Sequence, residues 1–298
     1  MKIIEFDITN TPVNDKDLVL CLGYYDGLHL GHQHLIKEAL KEGLPVGVMT
    51  FDIAPRVLLG KKENYCLTST FDKADLLEDM GVKFLYLMHF EMDTLKVTKD
   101  EFINRVLKPL NPKMIFVGDD YKFGTNKEGD AEYLKRFFDV HIIPLMRIDN
   151  IKISSKKIRE YVETGKMEKA SFLLGRDYRL SGLVVEGNHN GRKIDFPTAN
   201  LELNYNYVFP KEGVYIGYAY FLNRKRKALI AVGTHPTIHQ LLNPIIEVHI
   251  IDFNEVLYGR EIYVDFVSYI RPIQQFESLE ELRTQLLKDE EKAKNALQ

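Results

Sequence analysis

At 298 residues the chain is about twice the usual size of a single domain, which favours two folding units, each able to bury its own core. Its 45% hydrophobic and 28% charged residues exclude collagen-like, mostly disordered and membrane-embedded classes. With Lys+Arg 40 against Asp+Glu 43 the formal charge is -3, so no global basic field attracts a phosphate backbone and nucleic acid is not an expected partner.

The N-terminus, MKIIEFDITN, carries charges at Lys2, Glu5 and Asp7 and no apolar run long enough for a signal peptide or a span. Cys21 and Cys66 are the only cysteines, too few for a disulfide framework or a Cys-rich zinc site. A cytoplasmic, reducing location without a membrane partner is therefore expected. Downstream, short β-rich apolar runs alternate with segments of helical period: 18–22 then 33–42, 46–51 then 71–80, 84–88 then 101–107, 114–117 then 131–138, and last 141–143. This alternation predicts an α/β fold, a parallel sheet covered by helices. Its strands lack period-two alternation, as burial of both faces requires. In such sheets ligands sit beyond the carboxyl ends of the strands, which directs attention to the loops after Gly23, Phe51, Met88 and Val117.

Two short helices are predicted at 155–162 and 168–174. After Tyr178 the pattern changes to alternating strands at 181–186, 214–221, 227–232, 246–253 and 262–269, separated by Gly, Pro and Asn clusters, which reads as a small antiparallel β-barrel. The segment Ser278-Leu-Glu-Glu281 is a capping-box signature, and Leu279, Leu282 and Leu286 follow at helical spacing, so a C-terminal helix is expected on the barrel. The predicted domains are 1–178 and 179–298.

The densest chemical signal is Gly23-Tyr-Tyr-Asp-Gly-Leu-His-Leu-Gly-His32, between the first strand and the first helix. Gly23, Gly27 and Gly31 allow a tight turn and close backbone approach, and the helix start directs free N–H groups at an anion. Together with Asp26 they form a phosphate cradle that carries two imidazoles. It has neither G-x-G-x-x-G nor G-x-x-x-x-G-K-[ST], so a dinucleotide fold and a P-loop are not indicated. His29 and His32 are placed to donate hydrogen bonds to a triphosphate and stabilise charge during attack at the α-phosphorus. In Ile153-Ser-Ser-Lys-Lys-Ile-Arg159, Ser154 or Ser155 is an N-cap and Arg159 lies one turn on, a second phosphate contact or simply a cap. Val117-Gly-Asp-Asp-Tyr-Lys-Phe-Gly124 follows the fourth predicted strand; Asp119, Asp120 and Lys122 face a ligand, or the segment is a polar turn over a buried Phe123.

In the second half, the loop Gly187-Asn-His-Asn-Gly-Arg-Lys193 precedes Phe196-Pro-Thr-Ala-Asn200. Gly187, Gly191 and Lys193 suit ATP phosphates, while Thr198 and Asn200 share a face of an extended segment and offer oxygen to one Mg²⁺. Glu247 falls on a predicted core strand, where a carboxylate is either ion-paired or a general base; His249, two residues on, reads as structural. The basic run Asn223-Arg-Lys-Arg-Lys227 reads as a solvated hairpin tip.

These segments, in this order, resemble the bacterial bifunctional riboflavin kinase/FMN adenylyltransferase family, also called FAD synthetase. Its H-x-G-H matches His29 and His32, its V-G-x-D-F-x-F-G matches Val117 to Gly124 with Tyr121 for Phe, and its I-S-S-x-x-I-R matches Ile153 to Arg159. The likeness continues through Leu173-Leu-Gly-Arg-Asp-Tyr178, P-T-A-N at Pro197 to Asn200, E-x-H-[IL] at Glu247, Leu257-Tyr-Gly259 and Ile270-Arg-Pro272. The resemblance implies a nucleotidyltransferase-like domain that joins FMN to the AMP part of ATP with release of pyrophosphate. It further implies a riboflavin kinase barrel in which Thr198 and Asn200 bind Mg²⁺ and ATP, Glu247 activates the ribityl hydroxyl, and Tyr258, Gly259 and Arg271 belong to segments closing over the flavin. Expected ligands are riboflavin, FMN, FAD and ATP, with Mg²⁺; oligomeric state is left open.

Two positions depart from the family. Ala54 stands where F-D-P-H-P has its His, and Asp195 where Gly usually precedes F-P-T-A-N. A lost donor of the oxyanion type is worth about 2.7–4 kcal/mol, or 10² to 10³-fold in rate, unless Lys122 or Arg56 substitutes. The competing readings are a flavin kinase with a weakened adenylyltransferase half and a catalytically poor flavin-binding regulator. Arg224 and Arg226 are the only sequence support for the latter.

Overall fold

The computed structural model describes residues 1–58, 65–186, 196–236 and 242–297. Contacts divide the chain into two units, Met1–Ser155 and Lys156–Gln298.

The first unit runs β1 (Lys2–Phe6), β2 (Val19–Leu22), α1 (Leu30–Leu40), β3 (Val46–Phe51), α2 (Pro55–Leu58), α3 (Thr70–Asp79), β4 (Phe84–Met88), α4 (Lys99–Phe102), α5 (Lys108–Leu110), β5 (Met114–Gly118), β6 (Lys122–Phe123), β7 (Gly129–Asp130), α6 (Ala131–Leu134), β8 (Val140–Ile143), β9 (Arg147–Ile148) and β10 (Ile151–Lys152). The main sheet has the order β1-β4-β3-β2-β5-β8 and every pairing in it is parallel. Strand β2 is buried at all its positions, because layers of apolar side chains cover both faces: Leu20 and Leu22 belong to one cluster, Val19 and Cys21 to the other. Sheet order reverses around β2, so the β2–α1 turn opens where an α/β sheet places its ligands.

Strand β1 is an addition to the expected set. Lys2 and Glu5 break its apolar run, and at a sheet edge they remain largely exposed. The helix expected at 131–138 stops at Leu134, and the one expected at 101–107 continues as a π-helical segment, Ile103–Leu107. Asp26, buried in the β2–α1 turn, and the capping box of Ser69 with Asp72 on α3 fix the local geometry near the sheet's open end.

The second unit contains α7 (Ser155–Glu163), which begins at the division, then α8 (Met167–Leu174), β11 (Tyr178–Val185), β12 (Ala199–Leu203), β13 (Gly213–Phe221), β14 (Arg224–Pro236), β15 (Leu242–Ile250), β16 (Glu261–Arg271) and α9 (Leu279–Ala296). Its six strands close into an antiparallel barrel in the order β11-β12-β15-β14-β13-β16. Tyr178, Tyr215 and Phe266 fill part of the interior, the last two edge-to-face at 5.2 Å, and Tyr178 donates its hydroxyl to the Val208 carbonyl at 2.6 Å. Helix α9, capped by Ser278, lays Leu282 and Leu286 toward a cluster on the barrel's outer surface, while Leu279 remains exposed at 57%.

The basic run starts in an exposed hairpin turn and continues as the first residues of β14. Leu222 and Asn223, both with positive φ, make the two-residue turn, and Arg224 already pairs with Phe221. Its cations have intramolecular partners: Arg224 faces Glu255 at 3.4 Å, Lys225 lies 3.7 Å over the Tyr218 ring, and Lys227 donates to the Leu297 carbonyl at 2.6 Å. The sequence support for the regulator reading is thereby weakened.

Candidate functional sites

In the first unit a cavity of about 790 Å³ opens at the carboxyl ends of the strands. All three predicted motifs reach it: Gly23, His29, Gly31 and His32 from the β2–α1 turn, Asp120, Lys122 and Phe123 from the segment after β5, and Ser154 and Ser155 at the start of α7. The turn is tightly built. Tyr25, Gly27 and Leu28 have φ of 53, 83 and 37°, the left-handed region that costs a bulky side chain most. A Cβ on Gly23 would lie 2.9 Å from the Tyr25 ring, and one on Gly31 3.3 Å from the His29 ring. These two glycines therefore make room for the turn's own aromatic and imidazole side chains.

His29 is the N-cap of α1, and its Nδ1 accepts the His32 backbone N–H at 3.3 Å. A neutral His29 consequently carries its proton on Nε2, leaving that nitrogen as a donor. The two imidazoles stack at 3.6 Å with 13° between their planes. Burial first, then the neighbouring His29 and Lys73 charges, holds the His32 pKa well below the ordinary imidazole value. His32 is thus neutral at physiological pH, with one ring nitrogen to donate and one to accept. Its Nδ1 and the Tyr25 hydroxyl are buried with no hydrogen-bond partner among the described residues. Burial raises the Tyr25 pKa, so the hydroxyl remains a donor.

Not every cradle residue lines the cavity. Asp26 is turned away: its carboxylate accepts Leu67 N–H at 2.8 Å, and its carbonyl accepts the Ser155 hydroxyl at 2.8 Å, joining the turn to the start of α7. Gly27 and Asp119 are also outside the lining, and Arg159 is buried one turn along α7 without contributing to it. Asp120 faces Lys152 at 3.6 Å and Lys122 faces Asp130 at 3.1 Å. Phe123 is buried against Phe102, as the reading of a polar turn over a buried Phe123 has it, while Asp120 and Lys122 of the same segment border the cavity. Ala54 is buried and does not line the cavity, and the Arg56 side chain lies outside those described.

Sequence reasoning missed the cavity's apolar wall, in which Phe51, Phe90, Leu95, Val97 and Phe102 come together. Spread over β3, the segment after β4 and α4, these residues read in sequence as ordinary core. It also missed Lys73 on α3, buried and hydrogen-bonded to the Tyr24 carbonyl at 3.0 Å.

In the second unit, Asn200 on β12 lies directly opposite Glu247 on β15, so the two side chains share a face of the ladder. Thr198, two residues before Asn200, is half-buried like both of them. Ile246, Val248 and Ile250 point inward and are buried, which puts Glu247 on the barrel's outer face rather than in its core. Its half-exposed position removes the need for a buried counter-ion. His249 is structural as expected: its Nδ1 bonds the Pro197 carbonyl at 2.8 Å and its ring stacks on Phe196 at 3.5 Å. Gly259, with φ of 72°, donates to the Val184 carbonyl at 2.9 Å, and the next residue, Val185, pairs with Asn200. The Leu257–Gly259 turn bearing Tyr258 is therefore beside the Asn200–Glu247 pair. Arg271 is engaged elsewhere: its Nε donates to the fully buried Asp289 of α9 at 2.7 Å and a terminal nitrogen to the Pro272 carbonyl at 3.1 Å. Gly187, Gly191, Lys193 and Asp195 lie outside the described residues. Among the described residues no cluster of three or more His, Cys, Asp or Glu is arranged for a metal.

A histidine-bearing turn on a parallel α/β sheet, followed by a six-stranded barrel with a carboxylate opposite a P-T-A-N strand, defines a two-domain transferase acting on nucleotide phosphates. Family models agree with both parts: FAD synthetase matches residues 11–159 and riboflavin kinase residues 174–297. The chain belongs to the bifunctional riboflavin kinase/FMN adenylyltransferase family. Relatives of that name are 34% identical in Listeria monocytogenes, covering 95% of this chain and 94% of the relative, and 33% identical in Bacillus subtilis, covering 92% and 91%. A third, from Escherichia coli, is 34% identical and covers 97% and 96%. A solved structure described as a macrolide-efflux protein from Streptococcus pneumoniae is 35% identical, covers 99% of both chains and has a TM-score of 0.91. No described helix of this chain is long and apolar enough to cross a membrane.

Proposed function

We propose that this chain makes FAD from riboflavin in two ATP-dependent steps, with functional domains at 1–178 and 179–298. The observation that carries the reading is the convergence of three separate motifs, with two stacked histidines, on one cavity of the first unit. In the first step, in the barrel, Glu247 takes the proton from the terminal ribityl hydroxyl of riboflavin, whose oxygen attacks the γ-phosphorus of ATP, giving FMN and ADP. Thr198, just before β12, and Asn200 on it would hold the nucleotide's Mg²⁺, which would offset phosphate charge; hard oxygen donors two residues apart in an extended segment suit such an ion. Gly187, Gly191 and Lys193 contact the ATP phosphates, and Tyr258 and Gly259 contact the flavin. Arg271 supports that region through its pairing with Asp289.

In the second step an FMN phosphate oxygen attacks the α-phosphorus of ATP and pyrophosphate leaves. His29, through Nε2–H, and His32 donate hydrogen bonds to the phosphate oxygens as charge grows, in a site where burial strengthens such bonds. Gly23, Gly31, Ser154 and Lys122 complete the phosphate contacts, Asp120 borders the ligand, and Asp26, Gly27 and Ser155 shape the turn behind them. Phe123 and the apolar wall receive the isoalloxazine, whose flat ring buries well against aromatic side chains. The substrates and products are soluble small molecules, in keeping with a cytoplasmic enzyme.

The test is chromatographic. Purified protein with Mg²⁺ and ATP receives riboflavin in one reaction and FMN in another, and FMN, FAD and pyrophosphate are followed. FAD in both reactions is expected. FMN without FAD would reduce the chain to a kinase, and no product in either would reject the reading.

A further inference from the structure

We propose that Lys73 is a positioning residue for adenylyl transfer, its ammonium fixing the Tyr24 carbonyl at the root of the turn that carries both histidines. This inference rests on the function proposed above. Lys73 sits on α3 with 3% exposure and does not line the cavity. Its Nζ donates to the Tyr24 carbonyl at 3.0 Å and to Thr50 Oγ1 at 3.3 Å, and Thr50 donates in turn to the same carbonyl at 2.8 Å. The ammonium also lies 4.9 Å from the centre of the Tyr24 ring. One backbone oxygen is thus clamped from α3 and β3 together, directly before Tyr25, the first residue of the turn in the left-handed region. A strained turn persists only when its surroundings over-determine it; beside the Leu67 and Ser155 bonds to Asp26, this clamp is the support supplied at the residue just before the strain begins.

Burying an ammonium is unfavourable unless it is paired and hydrogen-bonded, so its retention here needs a purpose beyond packing. The charged groups around it are Asp26 and Cys66, which favour its cation, while burial opposes it and brings its pKa down to about 8. Towards the cavity its charge acts on His32, where it adds to burial and to His29 in disfavouring the imidazolium. Lys73 therefore has two effects on one histidine: it fixes the backbone that places His32, and it keeps His32 in the neutral form that can both donate and accept.

The test compares wild type with Lys73→Met, which retains the stem and removes charge and donors, and with Lys73→Arg, which retains charge. In Lys73→Met, kcat for FAD formation from FMN is expected to fall on the order of 10²-fold, with KM for ATP little changed and riboflavin phosphorylation at the wild-type rate. The His32 imidazole resonance, followed by NMR against pH, is expected to titrate at higher pH than in wild type, and Lys73→Arg to restore the wild-type titration. Unchanged kcat, or a folded Lys73→Met whose His32 titration does not move, overturns the proposal. If that variant does not fold, Thr50→Val is decisive: it removes the second donor to the Tyr24 carbonyl, and wild-type turnover in it overturns the clamp. A wild-type protein that makes no FAD refutes the functional reading instead, while the NMR titration still reports on the Lys73–His32 pair.

Discussion

The two candidate sites are built on opposite principles. In the first unit His29 is buried and His32 half-buried, the two stacked and set on a strained turn, so their placement is fixed by the protein before a ligand arrives. In the barrel, Asn200 and Glu247 are half-exposed neighbours across an antiparallel ladder, held by strand register rather than by burial. The contrast follows the chemistry. Adenylyl transfer between two phosphates needs preorganised donors aimed at developing charge. Phosphorylation of an alcohol needs a carboxylate that the attacking hydroxyl can reach, and a half-exposed position on a strand offers that.

The largest effect expected from breaking this contrast is at Glu247. Glu247→Gln retains volume and removes the base, and FMN formation measured by chromatography should fall about 10² to 10⁴-fold while FAD formation from supplied FMN is unchanged. Removal of His29 or His32 should do the reverse. Each alanine variant is expected to lower FAD formation roughly 10² to 10³-fold and leave riboflavin phosphorylation intact; parallel loss of both activities would show that the two sites are not independent. Tyr25→Phe isolates one buried hydroxyl without a described partner. If that hydroxyl binds the nucleotide, kcat/KM for ATP in adenylylation should fall roughly 2- to 10-fold, as for a lost hydrogen bond of about 0.5–1.5 kcal/mol, with no loss of thermal stability; an unchanged kcat/KM would show that the hydroxyl touches no substrate.

The smallest effects are on stability against pH. His32 takes up a proton near 6.5 when unfolded and only well below that when folded, so stability should fall as pH drops below 6.5. Lys73 works at the other end. An unfolded lysine keeps its proton up to 10.5 and the buried one releases it near 8, so between these values the unfolded state binds more protons and stability should rise with pH. Thermal unfolding followed across both ranges in wild type, His32→Asn and Lys73→Met checks both slopes, each of which should flatten in its own variant.

Most of the sheet and the barrel was legible because burial leaves a periodic record: β2, β3, β4 and β5 read as continuous apolar runs, and β13 and β16 as strands between turn residues. Strand β1 was not, since charges at Lys2 and Glu5 interrupt it and only pairing with β4 defines it. Strand β12 was hidden in the P-T-A-N segment, where motif chemistry drew attention from pairing with β11 and β15. The three cavity motifs were visible because glycine, histidine and serine are costly or conspicuous in turns. The apolar wall was not, because Phe51, Phe90 and Phe102 have no property in sequence that separates a ligand wall from a core. Glu247 was read on the right strand, but its face was not legible: alternation gives the period, and which phase faces inward depends on closure of the barrel.

Helix α9 gives the kinase site a temporal order. It supplies Asp289 to Arg271, and its Glu290 faces His249, whose other nitrogen supports the Pro197 carbonyl just before Thr198. Lys227 of β14 donates to the Lys294 carbonyl of the same helix and to that of Leu297 just past its end. Since a chain is made from its N-terminus, every barrel strand leaves the ribosome before the helix that braces the site. The first unit's cavity, whose lining residues all precede α9, does not wait for that helix, whereas the barrel's bracing contacts form only once the end of the chain has been made.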